Sequence, residues 1–418
     1  MTRPAICFTT SFCLLCSLIF VSNRPVCASD VIPGAPQTKP VALVGGIVHT
    51  VSGKTLPKGT VVFEQGRITA VGNVKPPAGA DVVELKGQHV FPGLIDAYSQ
   101  MGLVEIGAVR ATRDYRESGE LNPNVKAWVA VNPDSELIPV ARSNGVLLTV
   151  TAPSGGVISG QAALLQLDGW TTEDLAVKRN IGVIVARPNY PKLRAFFDEA
   201  RAYHKAIDNP ESGQRHDARL AALGPVLAGQ RPLIVAADLI QEIQAAVAFA
   251  SLQNVKLIIL GGYDAVDVAD LLKQNNVPVI VQAVHRNPQR RDDAYDSAYT
   301  LPERLRRAGV RWCLSGEGSA SNARNLPYHA GTAVAFGLAP EEALKAVTLY
   351  PAQILGMSDR LGSLQPGRDA TLFIANGDIL ETATQVSAAW VQGRKLDLRD
   401  RHKQLYLKYR TRYERLNK

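Results

Sequence analysis

The sequence predicts an α/β fold: a (β/α)8 TIM-type barrel joined to a small β-sandwich domain formed from both ends of the chain. Three observations predict it. Eight short apolar runs alternate with helical patterns through the middle of the chain, and continuous apolar strands spaced by helices indicate a parallel sheet covered on both faces. Alternating, Gly-punctuated strand patterns precede this region and return after it. The chain has 418 residues, 46% hydrophobic and 20% charged, enough for one large core plus an accessory domain.

Taken in order, residues 1–28 read as an export signal. Arg3 gives a positive start, Pro4 to Val21 is mostly apolar, and Val26-Cys27-Ala28 has the small residues a signal peptidase reads. Cleavage after Ala28 and export to the periplasm or extracellular space are therefore expected. Four of the five cysteines lie in that segment, leaving Cys313 and no internal disulfide. Residues 29–40, with Pro33, Pro36 and Pro40, read as a flexible lead-in. Residues 41–89 with 355–395 are expected to build the composite sandwich, and Gln65-Gly66 to turn a hairpin between Val61-Val62-Phe63 and Ile68 to Val71.

The barrel is expected over 90–354. Its strands would be the runs at 89–97, 146–152, 162–168, 182–188, 232–238, 256–262, 278–284 and 310–316. Helices are expected at Lys192 to Ile207, Leu239 to Leu252, Val266 to Gln274 and Pro340 to Thr348. An open doubly wound sheet would need a Gly-rich phosphate loop after a strand, and Gly261-Gly262 is too little for one.

The net charge of +8 is local. From Arg394 to Lys418 ten Lys/Arg stand against Asp397, Asp400 and Glu414, so the body is nearly neutral. No basic stripe crosses the fold, and a nucleic-acid partner is not expected. Residues 396–418 read as a basic amphipathic helix with Leu405, Tyr409, Tyr413 and Leu416 on one face. It is expected to dock on the body; the other reading is contact with anionic lipid headgroups.

Two motifs carry a family resemblance. Val90-Phe91-Pro92-Gly93-Leu94-Ile95-Asp96 resembles the first barrel strand of the amidohydrolase superfamily, entered from a β-sandwich. Residues 340–348, Pro351-Ala352 and 361–370 resemble its last barrel helix and the return into the sandwich. Within the superfamily the nearest look is to imidazolonepropionase-like and prolidase-like members, over Val41 to about Lys395. The resemblance implies hydrolysis of amide-like C–N bonds with one or two divalent metals, zinc for example. Such a metal lowers the pKa of a bound water and polarises the carbonyl.

The residues do not follow that implication. The family pattern Asp, any residue, His, any residue, His is here Asp96-Ala97-Tyr98-Ser99-Gln100. The later positions fall near Ala236, Gly261 and Glu317, and the middle strand ends in Arg187. Carboxamides and un-ionised phenols are poor metal ligands. The pocket candidates are Tyr98, Gln100, Asp238, His285, Glu317 and Arg324, with no catalytic residue and no metal ligand assigned. Ser159 is expected to shape a Gly-rich loop and Cys313 to be an inert core thiol. The expectation is a non-catalytic protein without cofactor that binds a small molecule or a paralogous amidohydrolase, with self-association compatible. The alternative is an active C–N hydrolase with a relocated metal at His285, Asp238 and Glu317.

Overall fold

The computed structural model describes residues 31–207, 209 and 213–416; the expected export signal at 1–28 lies outside the described residues. Strands from both ends of the chain pair in one eight-stranded sheet: β1 (Val41–Val48), β2 (Leu56–Glu64), β3 (Arg67–Gly72), β4 (Asp81–Glu84), β5 (His89–Pro92), β14 (Leu372–Ala375), β15 (Val386–Val391) and β16 (Arg394–Lys395). Antiparallel pairing of β5 with β14 joins the two ends, Phe91 opposite Phe373. The hairpin between β2 and β3 turns at Gln65 and Gly66, both with positive φ, as a two-residue primed turn requires. Phe63, Val61, Leu43, Leu372 and Trp390 form its buried face.

The second sheet contains all eight predicted barrel runs: β6 (Leu94–Ser99), β7 (Val146–Thr151), β8 (Ile158–Gln166), β9 (Ala176–Val185), β10 (Leu233–Ala237), β11 (Leu257–Gly261), β12 (Val279–Gln282) and β13 (Trp312–Ser315). They pair in sequence order. Alternate side chains divide the core. Leu148, Leu164, Ile184, Ile234, Ile258, Ile280 and Cys313 pack together inside, while Val183, Val235, Ile259, Val279 and Leu314 pack outward in the cluster that includes the helices. Period-two alternation on a closed sheet produces this two-layer core. Ala352, Leu355, Met357 and Leu361 join the inner cluster.

Three details depart from expectation. The run beginning at His89 is not one strand: β5 belongs to the terminal sheet and β6 to the barrel, with Gly93 between them. A Cβ there would lie 2.9 Å from Thr371 and 3.0 Å from Leu147, so only glycine lets the backbone pass from one sheet to the other. The barrel is not wholly parallel either, because β8 runs antiparallel to both β7 and β9. Only residues 152–157 join β7 to β8, fewer than a parallel crossover needs. Finally, the helix Arg401–Leu416 does not dock: none of its residues is buried. Its stripe has the composition of a covered face, but its apolar side chains stand exposed.

The lead-in from Val31 to Pro40 has no regular structure but is tied down. Gly34 N–H donates to Asp168 at 3.3 Å, and Gln37 accepts from Gly66 N–H at 3.1 Å. Asp168 is also salt-bridged to Arg142 at 3.0 Å and to Arg394 at 3.2 Å. One buried carboxylate thus links lead-in, barrel and terminal sheet.

Candidate functional site at the barrel mouth

The C-terminal ends of the barrel strands converge on a mouth with two cavities that share Gln282 at the end of β12. The first, of about 500 Å³, is lined by Tyr98, Gln100, Arg113, Tyr115, Gln282 and Glu317, among others. The second, of about 570 Å³, is lined by Arg187, Tyr190, Ala236, Asp238 and Gln282. A barrel places its functional side chains at this face.

At the first cavity the strand β6 sets the geometry. Asp96 is fully buried, and its Oδ1 accepts from Gly316 N–H at 3.0 Å and Tyr98 N–H at 3.4 Å. With the Ser99–Gly318 bridge, that bond closes the barrel between β6 and β13. Asp96 therefore acts as a brace. Its Oδ2 has no hydrogen-bond partner among the described residues, and burial pushes the carboxyl up to about 7 against the pull of the two backbone N–H groups. Burial also raises the Tyr98 phenol, moving it further from the ionised form a metal would need. Gly318 fits between Tyr98 and Gln282: its φ is +80°, and a Cβ would lie 2.9 Å from the Gln282 amide. The Gln100 amide donates to Ser154 at 3.3 Å, and Glu317, which is exposed, accepts from Asn322 at 2.6 Å.

At the second cavity the loop after β12 crosses the ends of β10 and β11. Asp238 accepts from Arg286 Nη1 at 3.3 Å and from the Gln289 amide at 2.9 Å, besides Tyr263 N–H at 3.0 Å. The Arg286 guanidinium lies 4.8 Å above the Tyr263 ring. Next to it Arg290 forks onto Asp264, and the Tyr263 hydroxyl donates to Asp293 at 2.7 Å. That hydroxyl bond, with Arg290 beside it, holds the Asp293 carboxyl below its ordinary range. Fork-shaped guanidinium–carboxylate pairing fixes both position and direction. The loop is clamped across the ends of these two strands.

The six sequence-predicted pocket residues separate accordingly. Tyr98, Gln100 and Glu317 share the first cavity, and Asp238 lines the second. His285 is turned away: its Nε2 lies 2.7 Å from Thr332 Oγ1, and its backbone N–H donates to His329 Nδ1 at 3.3 Å. Burial holds His329 neutral, with its pKa lowered to about 3. Arg324 lies beside the C-terminal helix, 2.9 Å from His402. Ser159 Oγ donates to Gly155 O at 2.7 Å and shapes its loop. Cys313 is sealed in the core, its thiol pushed up by burial and by Asp96. Sequence reasoning missed Gln282 and Arg286. The dense charge of Arg286 to Asp293 directly after a strand was the available signal.

Whether these residues fit a divalent metal follows from their chemistry. The strand ends present a raised phenol, two carboxamides, the Gly261-Gly262 pair, Asp238 under a guanidinium and, beyond β13, the exposed Glu317. Among the described residues no group of three or more His, Cys, Asp or Glu lies together to hold a metal ion. The donor set does not fit one.

The sequence model of the amidohydrolase family matches residues 233–396. The amidohydrolase tasK of Hapsidospora irregularis is 22% identical over 80% of this chain; the match spans only 39% of that protein's length. The crystal structure of an amidohydrolase from Thermotoga maritima MSB8 superposes with a TM-score of 0.80 at 24% identity, covering 86% of this chain and all of that one. An adenosine deaminase from Xanthomonas campestris with bound zinc superposes with a TM-score of 0.51 at 17% identity, over 92% of this chain and 100% of its own. The chain thus matches the amidohydrolase family model over residues 233–396 and shares the barrel fold of the amidohydrolase it superposes on.

Proposed function

We propose that this chain is a non-catalytic, exported member of the superfamily that binds a small polar ligand in the Tyr98–Gln100–Glu317 cavity. The observation that carries this reading is Arg286 on Asp238. A fixed cation occupies the carboxylate at the end of β10, in a mouth whose opposite strand offers Tyr98 and Gln100. An arginine neither bridges metals nor gives up its proton. The cavity itself suits a ligand bearing both charge signs, since Glu105 and Glu317 line it together with Arg113. The Arg113 Nε is buried without a partner among the described residues, a donor available to such a ligand.

The test is elemental analysis and hydrolysis assays on protein purified without chelator. Less than a tenth of an equivalent of zinc or manganese, with no turnover of acyl dipeptides or cyclic amides, is expected. Stoichiometric metal, lost together with hydrolysis in Asp238→Ala, would overturn the reading. A screen of amino acids and dipeptides by thermal shift should give hits that Gln100→Ala abolishes. Hits that Gln100→Ala and Tyr98→Phe both leave unchanged would move the ligand out of this cavity.

A further inference from the structure

Among the described residues, the helix Arg401–Leu416 is fixed to the body at its first turn. Asp400 is buried and caps it, accepting from Lys403 N–H at 2.9 Å, and His402 touches Arg324. Beyond that turn its apolar side chains face outward: Tyr406 is 64% exposed, Tyr413 62% and Leu416 67%. At 100° per residue, Leu405, Leu416, Tyr409, His402, Tyr413 and Tyr406 fall within an arc of about 100°. Arg401, Lys408, Arg412 and Arg415 border that arc on one side, and Lys403 and Arg410 on the other. The remaining face carries Gln404, Leu407, Thr411 and Glu414.

Charge decides what covers this face. The helix has six Lys/Arg against Glu414 alone, and the single acid is already paired with Arg410 at 3.4 Å. A second copy of the helix could use Tyr406, Tyr409, Tyr413 and Leu416, which have the spacing of a coiled-coil seam. The flanking positions would then set Lys403, Arg410 and Arg412 against the same cations of the other copy. Like charges there oppose pairing. An anionic surface meets both features at once. Tyr and Leu can enter the boundary between headgroups and acyl chains, while Lys and Arg stems on either flank reach back to the phosphates.

We infer that the helix Arg401–Leu416 is an interfacial anchor that lies flat on an anionic phospholipid surface. This inference is independent of the chemistry at the barrel mouth. Vesicle co-sedimentation of the full chain tests it, with phosphatidylcholine vesicles that contain or lack phosphatidylglycerol. At least about tenfold more protein should sediment with the anionic vesicles. Raising salt from about 0.1 M to about 0.5 M should release most of it. Tyr409→Asp with Tyr413→Asp, both on the exposed stripe, should abolish binding without moving the thermal unfolding of the barrel. Lys408→Glu with Arg412→Glu should do the same. No sedimentation with anionic vesicles, or equal sedimentation with neutral ones, overturns the inference. So does self-association in sedimentation equilibrium that the tyrosine variant removes while vesicle binding stays absent, because that outcome assigns the stripe to a second copy.

Discussion

The two sides of the barrel mouth solve the same electrostatic problem differently. Over β10 and β11 every carboxylate that the strand ends present has a cation: Asp238 has Arg286, and Asp264 has Arg290. Under β6 and β13 the buried Asp96 is held by backbone N–H groups, and one of its oxygens has no hydrogen-bond partner among the described residues. The first side is saturated and crossed by a clamped loop, beside a cavity of about 570 Å³; the second keeps an unsatisfied buried acid, near a cavity of about 500 Å³. Positive charge can be delivered to a strand end by a protein side chain as well as by a bound ion. Where that has happened a loop is pinned across the strand ends, and where it has not, the buried acid stays unpaired.

Substitutions can break this contrast, the largest effect first. The folded pKa of Asp96 is raised to about 7, above the ordinary 3.8. Folding therefore takes up a proton between those values, and stability falls as pH rises from about 4 to about 7. Asp96→Asn should remove that loss. Urea unfolding should show the variant roughly 4 kcal/mol more stable than the parent at pH 8, with no gain at pH 3.5. A variant less stable at both pH values would mean that the charged carboxylate is needed at the seam.

Arg286→Met acts on the clamped side. It should cost about 2 kcal/mol in the same assay, since Asp238 loses its cation. Amide exchange through residues 286–296 should quicken by at least about tenfold. Unchanged exchange would show that Arg290 and Tyr263 hold the loop alone. Tyr98→His with Gln100→His supplies the imidazoles of the family pattern at the end of β6. Added zinc should stabilise this variant by about 1 kcal/mol and leave the parent unmoved; adding Arg286→Met should increase the response. Glu317→Gln, on an exposed side chain, should stay within about 0.5 kcal/mol of the parent.

What could be read from the sequence was whatever a local pattern carries. The eight barrel strands were legible because each is a short apolar run bounded by turn residues. The direction of β8 was not, because the run reads alike both ways and only the short 152–157 connection reverses it. Tyr98 and Gln100 were legible as departures because Gly93 and Asp96 fix the register. Arg286 was not, since it lies four residues beyond β12 and reaches Asp238 across 48 positions of chain. The tail was half legible. Periodicity shows which face seeks cover, and says nothing of where the cover lies.

The reversal of β8 has a consequence for how the barrel assembles. The strands β7, β8 and β9 form a meander joined by short links, so their contacts close small loops and can form early. The seam between β6 and β13 joins residues 220 positions apart at Asp96 and Gly316 and must form late. A substitution in the meander should slow folding, whereas one at Asp96 should change mainly how fast the closed barrel opens. The buried aspartate of β6 thus serves as the last latch of the barrel.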